Sequence, residues 1–325
     1  MCGIWDFAQG LTLHDGHGII FLLYPSIFCI RKDPDSMKNT ETVLYQLTET
    51  SQYMMAFVLV TREDNVIVID GGRPLDMPLL KEYIGGRHIS AWILTHAHED
   101  HISGFVDEFE KNGGADFDIG TVYYHFPDYD ALIDNHNVPD YPYFKAELAE
   151  MLPAFNAVRE KFMDKEHIVE QGESIDVDEV HIDFLFSFHD GLYANLMNDS
   201  SLVFRMTTPN TSVLFLGDLG PDGGDVLFRE SRHKLSSNIV QMAHHGHMNV
   251  SMEVYAAIMP KACLWCAPDW LYAEPEVPSY LSNGERLRQM GRIRMYGTAL
   301  TRRWMELLGV EKHYVTADGT QEIPL

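Results

Sequence analysis

Cysteine is scarce in this sequence, with four residues among 325. Four thiols are too few to build a disulfide scaffold for a chain of this length, so we exclude that class of protein. Cys263 and Cys266 stand three residues apart, but they fall in an apolar segment typical of a strand, where residues so spaced face opposite sides. We therefore expect buried reduced thiols, which favours a cytoplasmic protein.

Basic residues are also few, at 24 against 48 acidic ones, and the formal net charge is −24. Such a charge repels a long polyanion, so we expect a small-molecule substrate and no extended nucleic acid as partner. Residues 19–30 form an apolar run, but it is too short to cross a bilayer and Pro25 interrupts it. Asp6 and Asp15 precede it, where a secretory signal would be basic, so no membrane partner is expected.

Two common catalytic motifs are missing from the sequence. It has no Gly-x-Ser-x-Gly nucleophile elbow and no phosphate-binding Gly-x-x-x-x-Gly-Lys run. A nucleophilic serine at such an elbow and a P-loop are therefore not expected to provide the chemistry. No coiled-coil repeat is present either, and the oligomeric state stays open.

The densest cluster of chemically active side chains lies in residues 95–101. It contains His96, His98, Glu99, Asp100 and His101. Apolar residues 89–94 precede this run and predict a buried strand. Apolar residues then recur from 102 to 109 at the spacing of an amphipathic helix that begins near Asp100. The run is therefore predicted to lie at a strand end that leads into a helix.

The spacing within this run suits two adjacent metal ions. In an extended loop His96 and His98 point the same way, whereas Asp100 and His101 can turn toward a second point. Imidazole beside carboxylate suits zinc, iron and manganese to different degrees. We expect two divalent ions, with zinc favoured and manganese or iron as alternatives.

Other possible ligands follow later apolar segments in the same manner. Asp218 comes after residues 213–216, and His244 and His245 come after residues 239–242. Asp218 can bridge two ions. Asp70 ends the earlier segment 66–70, where its carboxylate can orient the metal-binding loop from behind.

His96, His98, Asp100 and His101 form the pattern His-x-His-x-Asp-His, and here the sequence resembles the metallo-beta-lactamase-fold hydrolases. The resemblance runs from about residue 57 to the C-terminus, with Asp70, Asp218 and the run 244–246 as its other motifs. It implies an α/β fold, a four-layer αββα sandwich. Residues 198–204, taken with these motifs, are most similar to the branch containing the competence-protein hydrolase domain and the choline-binding phosphodiesterases.

Two ligand assignments stay open. The superfamily usually supplies a further histidine to the first ion, and His189, after apolar residues 184–188, is the candidate. Asn198 or Asp199 is the alternative. Of the adjacent pair, we favour His245 as the metal ligand and His244 as the substrate-side residue.

The turn-forming and polar segments between the apolar runs predict how the chain is organised. Residues 1–40 form an N-terminal extension of unknown role, and residues 41–325 form the hydrolase domain with an insertion at about 126–165. Hairpin patterns at 57–70 and 202–216 predict two strand-rich halves. Trp265, Trp270 and Tyr272 cluster around a predicted turn, where they form either a pocket wall or part of the core.

The resemblance implies a dinuclear metal-dependent hydrolase that uses a metal-bound hydroxide, most favourably on a small phosphodiester. Asp100, Asp218 and His244 are the expected catalytic residues, and His244 stabilises developing charge or protonates a leaving group. A second hypothesis is an ester, lactone, thioester or β-lactam hydrolase with the same metal site. A third is a di-iron redox protein or a non-catalytic metal-binding module.

Overall fold

The computed structural model describes residues 40–128, 130, 132, 142–275 and 296–325. Within these ranges the chain forms two seven-stranded sheets with helices on the outer face of each. This is the four-layer sandwich that the sequence resemblance implies. Residues 1–39 and, within the insertion, residues 129, 131 and 133–141 lie outside the described residues, and the division of the chain at residue 40 stays a prediction.

The described strands are β1 Val43–Gln46, β2 Ala56–Val60, β3 Val66–Asp70, β4 His88–Ile93, β5 Asp118–Tyr124, β6 Glu166–Ile168, β7 Ser174–Val177, β8 Val180–Phe186, β9 Val203–Thr207, β10 Ser212–Phe215, β11 Ile239–Gln241, β12 Ala262–Trp265, β13 Lys312–Val315 and β14 Gln321–Pro324. The described helices are α1 Met77–Ile84, α2 Glu99–Asn112, α3 Pro142–Arg159, α4 Leu196–Asp199, α5 Pro221–Ser231, α6 Met252–Ile258, α7 Asp269–Tyr272 and α8 Thr298–Leu307. Among these described helices, none combines the length and the hydropathy that a bilayer-spanning helix requires.

The two sheets have matching topologies. The first has the order β14-β1-β2-β3-β4-β5-β6 and the second the order β13-β12-β11-β10-β9-β8-β7. In the first sheet β3 to β6 run parallel, and in the second β10 to β13 do so. The carboxyl ends of neighbouring parallel strands meet at one edge of a sheet. The loops after β3 and β4 therefore lie side by side, as do those after β10 and β11.

Burial follows from the layered packing. Both β2 and β3 are buried along their whole length, because helices cover one face of the first sheet and the second sheet covers the other. Phe57 of the first sheet meets Phe215 of the second edge to face, with ring centroids 5.1 Å apart. Outside the first sheet, Trp92 of β4 packs against Phe105 of α2.

The paired cysteines are buried free thiols on opposite sides of the second sheet, as predicted. Cys263 packs with the outer helices, whereas Cys266 packs in the layer between the sheets. Burial raises the pKa of both thiols, which keeps them protonated and unreactive.

Candidate metal centre

The histidine-rich run lies where β4 leads into α2. His96 and His98 occupy the connecting loop, and Asp100 and His101 lie in the first turn of the helix, which begins at Glu99. The side chains of His96, His101 and Asp100 are buried. The helix thus gives two of the four signature residues a fixed backbone, as the apolar spacing predicted.

Two neighbouring loops hold the backbone of this first turn. The Met55 amide donates to the carbonyl of Asp100 at 3.0 Å, and the Gly71 amide donates to the carbonyl of His101 at 2.7 Å. Close approach is possible because α2 has a glycine at position 104, where an added Cβ would lie 2.8 Å from the Gly71 carbonyl oxygen. The signature is therefore positioned by tertiary contacts as well as by its own helix.

The second sheet supplies the remaining side chains from the loops after β10 and β11. The Asp218 amide donates to Ser201 Oγ at 3.0 Å, and the His244 amide donates to the Gly217 carbonyl at 3.0 Å. His244 and His245 both have left-handed backbone conformations, with φ of 50° and 55°. Such strain in non-glycine residues is typical of functional sites.

Four imidazoles surround the Asp218 carboxylate, three of them from the buried cluster and the fourth from His244. Its Oδ1 is 3.3 Å from His101 Nε2, and its Oδ2 is 3.5 Å from His245 Nε2 and 3.8 Å from His96 Nε2. Two overlapping groups of buried residues are close enough to hold an ion. One consists of His96, His101 and Asp218, and the other of Asp100, His101 and His245. The two halves of the sandwich therefore meet in a single polar cluster.

His98 joins this cluster at its edge. Its Nδ1 lies 2.9 Å from His96 Nε2, so the two imidazoles converge. His98 is half-buried, whereas His96 is fully buried. The sequence expectation that these two histidines share a side of the loop agrees with this contact.

Asp70 determines which ring nitrogens of the signature face the cluster. Its carboxylate accepts hydrogen bonds from the Thr95 amide and hydroxyl, both at 2.7 Å, and from His101 Nδ1 at 2.7 Å. Because the Thr95 hydroxyl donates its hydrogen to Asp70, its oxygen can only accept a hydrogen bond from His96 Nδ1, which lies 3.2 Å away. The Nδ1 atoms of His96 and His101 are therefore both donors, which leaves a lone pair on the Nε2 atom of each ring for a metal.

His245 also carries its ring proton on Nδ1, but through a different hydrogen-bond partner. Its Nδ1 donates to the Cys266 carbonyl at 2.9 Å, which leaves a lone pair on Nε2. That Nε2 lies 3.0 Å from Asp100 Oδ2. A lone pair facing a carboxylate oxygen at this distance requires a cation between them, either a proton or a metal ion.

The buried atoms at the centre fit a divalent ion. His101 Nε2 and Asp218 Oδ1 are both buried, and neither has a hydrogen-bond partner within the described part of the chain. Burial raises the pKa of Asp218, but the His101 and His245 imidazoles lower it well below its usual range. Burial lowers the pKa of His101, yet the Asp218 and Asp70 carboxylates raise it well above its usual value. The cluster thus demands positive charge, which a divalent ion would supply.

His244 differs from its neighbour in its hydrogen bonding. Asn249 Nδ2 donates both to the Asp218 carbonyl at 3.1 Å and to His244 Nδ1 at 2.8 Å. The bond to a carbonyl identifies the amide nitrogen, so Nδ1 of His244 is the acceptor and the ring proton lies on Nε2. Burial lowers the pKa of His244 more than Asp218 raises it, so the ring is neutral.

With its ring proton on Nε2, His244 can act as a hydrogen-bond donor toward the cluster. Its Nε2 lies 3.6 Å from Asp218 Oδ2, beside the cluster. The side chain is 23 % exposed, whereas that of His245 is 1 % exposed. A ring with its proton on the cluster side and solvent within reach can meet a substrate, and it has no free lone pair there for a metal.

The structure does not bring His189 to either group of ligands. Its Nε2 contacts Gln171 Oε1 at 2.8 Å, and its ring packs on Phe186, the last residue of β8. The expectation that His189 completes the first metal site is therefore at odds with the structure. The turn after β8 directs the ring toward the segment before β7, a tertiary contact that local sequence does not encode.

The alternatives to His189 have different partners. Asn198 donates to the Asn195 side-chain oxygen at 3.0 Å, and Asp199 accepts from the Gly223 amide at 2.8 Å. Burial raises the pKa of Asp199 to about 6. Its contact with the first turn of α5 indicates that it supports the loop that carries Asp218, beside the cluster.

Sequence reasoning missed several residues at this centre. Thr95 stood at the start of the signature without a role, and Asn249 lies only four residues after His245, but no local pattern marks either as a partner of a histidine. Tyr53 lies in the loop before β2, and its ring centroid is 4.8 Å from that of His245. Only its proximity in the fold identifies it.

Comparison with known protein families gives one match. The model of the metallo-beta-lactamase superfamily matches residues 55–253, which is more than half of the chain. A sequence comparison with curated proteins gives no match.

Similar solved structures include the metallo-beta-lactamase fold protein YhfI from Bacillus subtilis, at 13 % identity and a TM-score of 0.47, over 87 % of this chain and 100 % of that one. CmlA from Streptomyces venezuelae, a diiron beta-hydroxylase, is 13 % identical with a TM-score of 0.49, over 88 % of this chain and 55 % of that one. A diphosphatase from the PhnP family is 12 % identical with a TM-score of 0.38, over 69 % of this chain and 85 % of that one.

Proposed function

This chain belongs to the metallo-beta-lactamase superfamily, whose members are generally dinuclear metal-dependent hydrolases. We propose that it hydrolyses a small phosphodiester. The observation that carries the proposal is the pair of buried ligand groups that share His101. The preference for a phosphodiester rests on the motifs at 198–204, 216–218 and 244–246, which resemble those of the phosphodiesterase-containing branch.

The chain's own residues divide into two ligand sets. His96 and His98 would hold the first ion, and Asp100, His101 and His245 would hold the second. Asp218, which faces imidazoles of both sets, would bridge the two. His189 is left out of this assignment because of its contact with Gln171. Zinc is the favoured metal, since imidazole and carboxylate oxygen both suit it.

When bound, two divalent ions lower the pKa of a coordinated water and polarise the phosphoryl oxygen. The residues around the ions would accept and donate hydrogen bonds to the reacting groups. Asp218 and Asp100 are ionised, because the neighbouring imidazoles lower the pKa of both carboxyls. Either carboxylate can accept a hydrogen bond from the attacking water. His244 Nε2–H can donate to the charge that develops on a phosphoryl or leaving-group oxygen.

The reaction class is tested with a panel of model substrates on zinc- or manganese-loaded protein. We expect hydrolysis of bis-p-nitrophenyl phosphate in preference to a lactone and to nitrocefin. His96→Ala and Asp100→Ala are expected to lower the rate at least about a thousandfold, because each removes a ligand. His88→Ala, an exposed histidine paired with Asp118, is the matched control and should retain full activity. Hydrolysis of the carbonyl substrates alone would overturn the phosphodiester proposal.

Asn249 offers a test of the His244 tautomer. Asn249→Asp replaces the donor to Nδ1 with an acceptor, so the ring proton should move to Nδ1 and the Nε2 donor should be lost. We expect kcat to fall about 10- to 100-fold with both ions retained. Nitrogen NMR of the zinc protein reports the tautomer directly. Asn249→Ala, which removes the donor without reversing it, should have a smaller effect, and an unchanged tautomer in the aspartate variant would contradict this assignment.

A further inference from the structure

Three aromatic side chains form a connected group beside the metal centre, which we call the aromatic wall: Tyr53, Trp270 and Tyr296. The ring centroids of Tyr53 and Trp270 are 6.0 Å apart, and those of Trp270 and Tyr296 are 5.7 Å apart. The three come from distant parts of the sequence, namely the loop before β2, α7 and the segment before α8. Only the fold brings them together.

The aromatic wall is continuous with the histidine cluster at both ends. Tyr53 contacts His245, with centroids 4.8 Å apart. Tyr296 stacks on His247 at 4.6 Å, and the His247 ring lies 4.1 Å from that of His244. A molecule held by the wall would therefore adjoin the reacting centre.

Trp270 is the solvent-facing member of the wall. Its side chain is 54 % exposed, whereas Trp265, five residues earlier, is fully buried in the core. The sequence left open whether these aromatics line a pocket or fill the core, and the structure buries Trp265 in the core and leaves Trp270 exposed. An indole left half in solvent buries less apolar surface on folding than a core tryptophan does, and its exposed face is available to a ligand.

The backbone beneath Trp270 is well anchored. The Tyr272 amide donates to the Pro268 carbonyl at 2.9 Å, and Leu271 is fully buried between the two aromatic residues. The rings of Tyr53 and Tyr296 meet the indole at 57° and 60°, so neither stacks flat on it. The indole is therefore held in place while part of its surface stays exposed.

We propose that the aromatic wall binds a planar aromatic group of the substrate, which would make the substrate a phosphodiester with one aryl or nucleoside ester group. This inference rests on the proposed function. Aromatic stacking needs no positive charge, so it is compatible with a protein whose net charge is −24. Stacking also favours a substrate with an aromatic ester group over one with an aliphatic ester group, and it needs no hydrogen bonds to do so. The wall holds the group that remains on the phosphorus, while His244 faces the reacting oxygens.

The test compares two substrates that share p-nitrophenolate as leaving group and differ in the other ester. These are p-nitrophenyl thymidine 5′-phosphate and methyl p-nitrophenyl phosphate. Trp270→Ala is expected to raise KM about 10-fold for the thymidine ester and to leave KM for the methyl ester and both kcat values within about twofold. Trp270→Phe should retain most of the affinity. Leu307→Ala, which trims another exposed apolar side chain, is the matched control.

The outcomes separate this inference from the proposed function. Equal changes in KM for the two esters, or no change for either, would overturn the role of the wall even if both esters are hydrolysed. If neither ester is hydrolysed, the proposed function fails. Calorimetric titration of the zinc protein with thymidine 5′-monophosphate and methyl phosphate then tests the wall alone. Tighter binding of the thymidine compound that Trp270→Ala weakens about 10-fold supports it, and equal affinities reject it.

Discussion

Asp218→Asn is expected to reduce bound metal from two ions per chain to one or none and to lower hydrolysis by about a thousandfold or more. The carboxylate lies within 3.8 Å of the Nε2 atoms of His96, His101 and His245, so it faces imidazoles of both ligand groups. Asparagine keeps its size but removes the charge. Since the cluster demands positive charge to balance its carboxylates, the neutral residue also weakens the attraction for a divalent ion.

The measurement is the metal content of zinc-reconstituted protein, together with its rate on bis-p-nitrophenyl phosphate. Asp222→Asn, an exposed carboxylate four residues later in the first turn of α5, is the matched control and should bind two ions at full activity. Thermal unfolding of both variants reports whether the fold is retained. Two bound ions and a rate near that of the native chain in Asp218→Asn would contradict the bridging role.

The adjacent histidines are expected to respond differently to the same substitution. His245→Ala should lose the second ion, because its buried Nε2 lone pair faces Asp100. His244→Ala should retain both ions and lose about 100- to 1000-fold in kcat, because it removes a donor to developing charge. The local backbone is left-handed at both positions, so the two substitutions impose similar strain. The pair thus serves as its own control.

Metal analysis beside steady-state kinetics separates the two roles. A loss of metal in His244→Ala equal to that in His245→Ala would show that both are ligands and would refute the tautomer argument from Asn249. A smaller effect on KM than on kcat in His244→Ala is expected, since the donor acts where charge develops. The phosphodiester and any accepted carbonyl substrate should show the same ranking.

The positions of the candidate ligands relative to their own strands and helix could be predicted, because each depends only on a short continuous segment of the sequence. The apolar run before residue 95 and the helical spacing after residue 101 place His96 to His101 at the junction of β4 and α2 without reference to the rest of the chain. Asp218 and His245 follow their strands in the same way. These inferences depend on periodicity and on residue type, both of which are local.

The pairing of distant segments could not be predicted in the same way. Asp100 and His245 are 145 positions apart in sequence, and their 3.0 Å contact exists only because the two sheets pack face to face. His189 follows a strand just as His245 does, yet its ring turns to Gln171. A strand end places a residue at an edge of the sheet, but the loop beyond it decides where the side chain points.

The sequence alone determined the superfamily signature, the sandwich fold and the kinds of atom available to a metal, because these depend on the order and spacing of residues. Only the tertiary structure decided which nitrogen of each histidine faces the cluster. That choice depends on hydrogen bonds to the Asp70 carboxylate and the Cys266 carbonyl and on one from Asn249, and these three residues lie in separate parts of the chain. The structure also assembled the aromatic wall, because Tyr53, Trp270 and Tyr296 lie in separate segments whose rings become neighbours only in the folded chain.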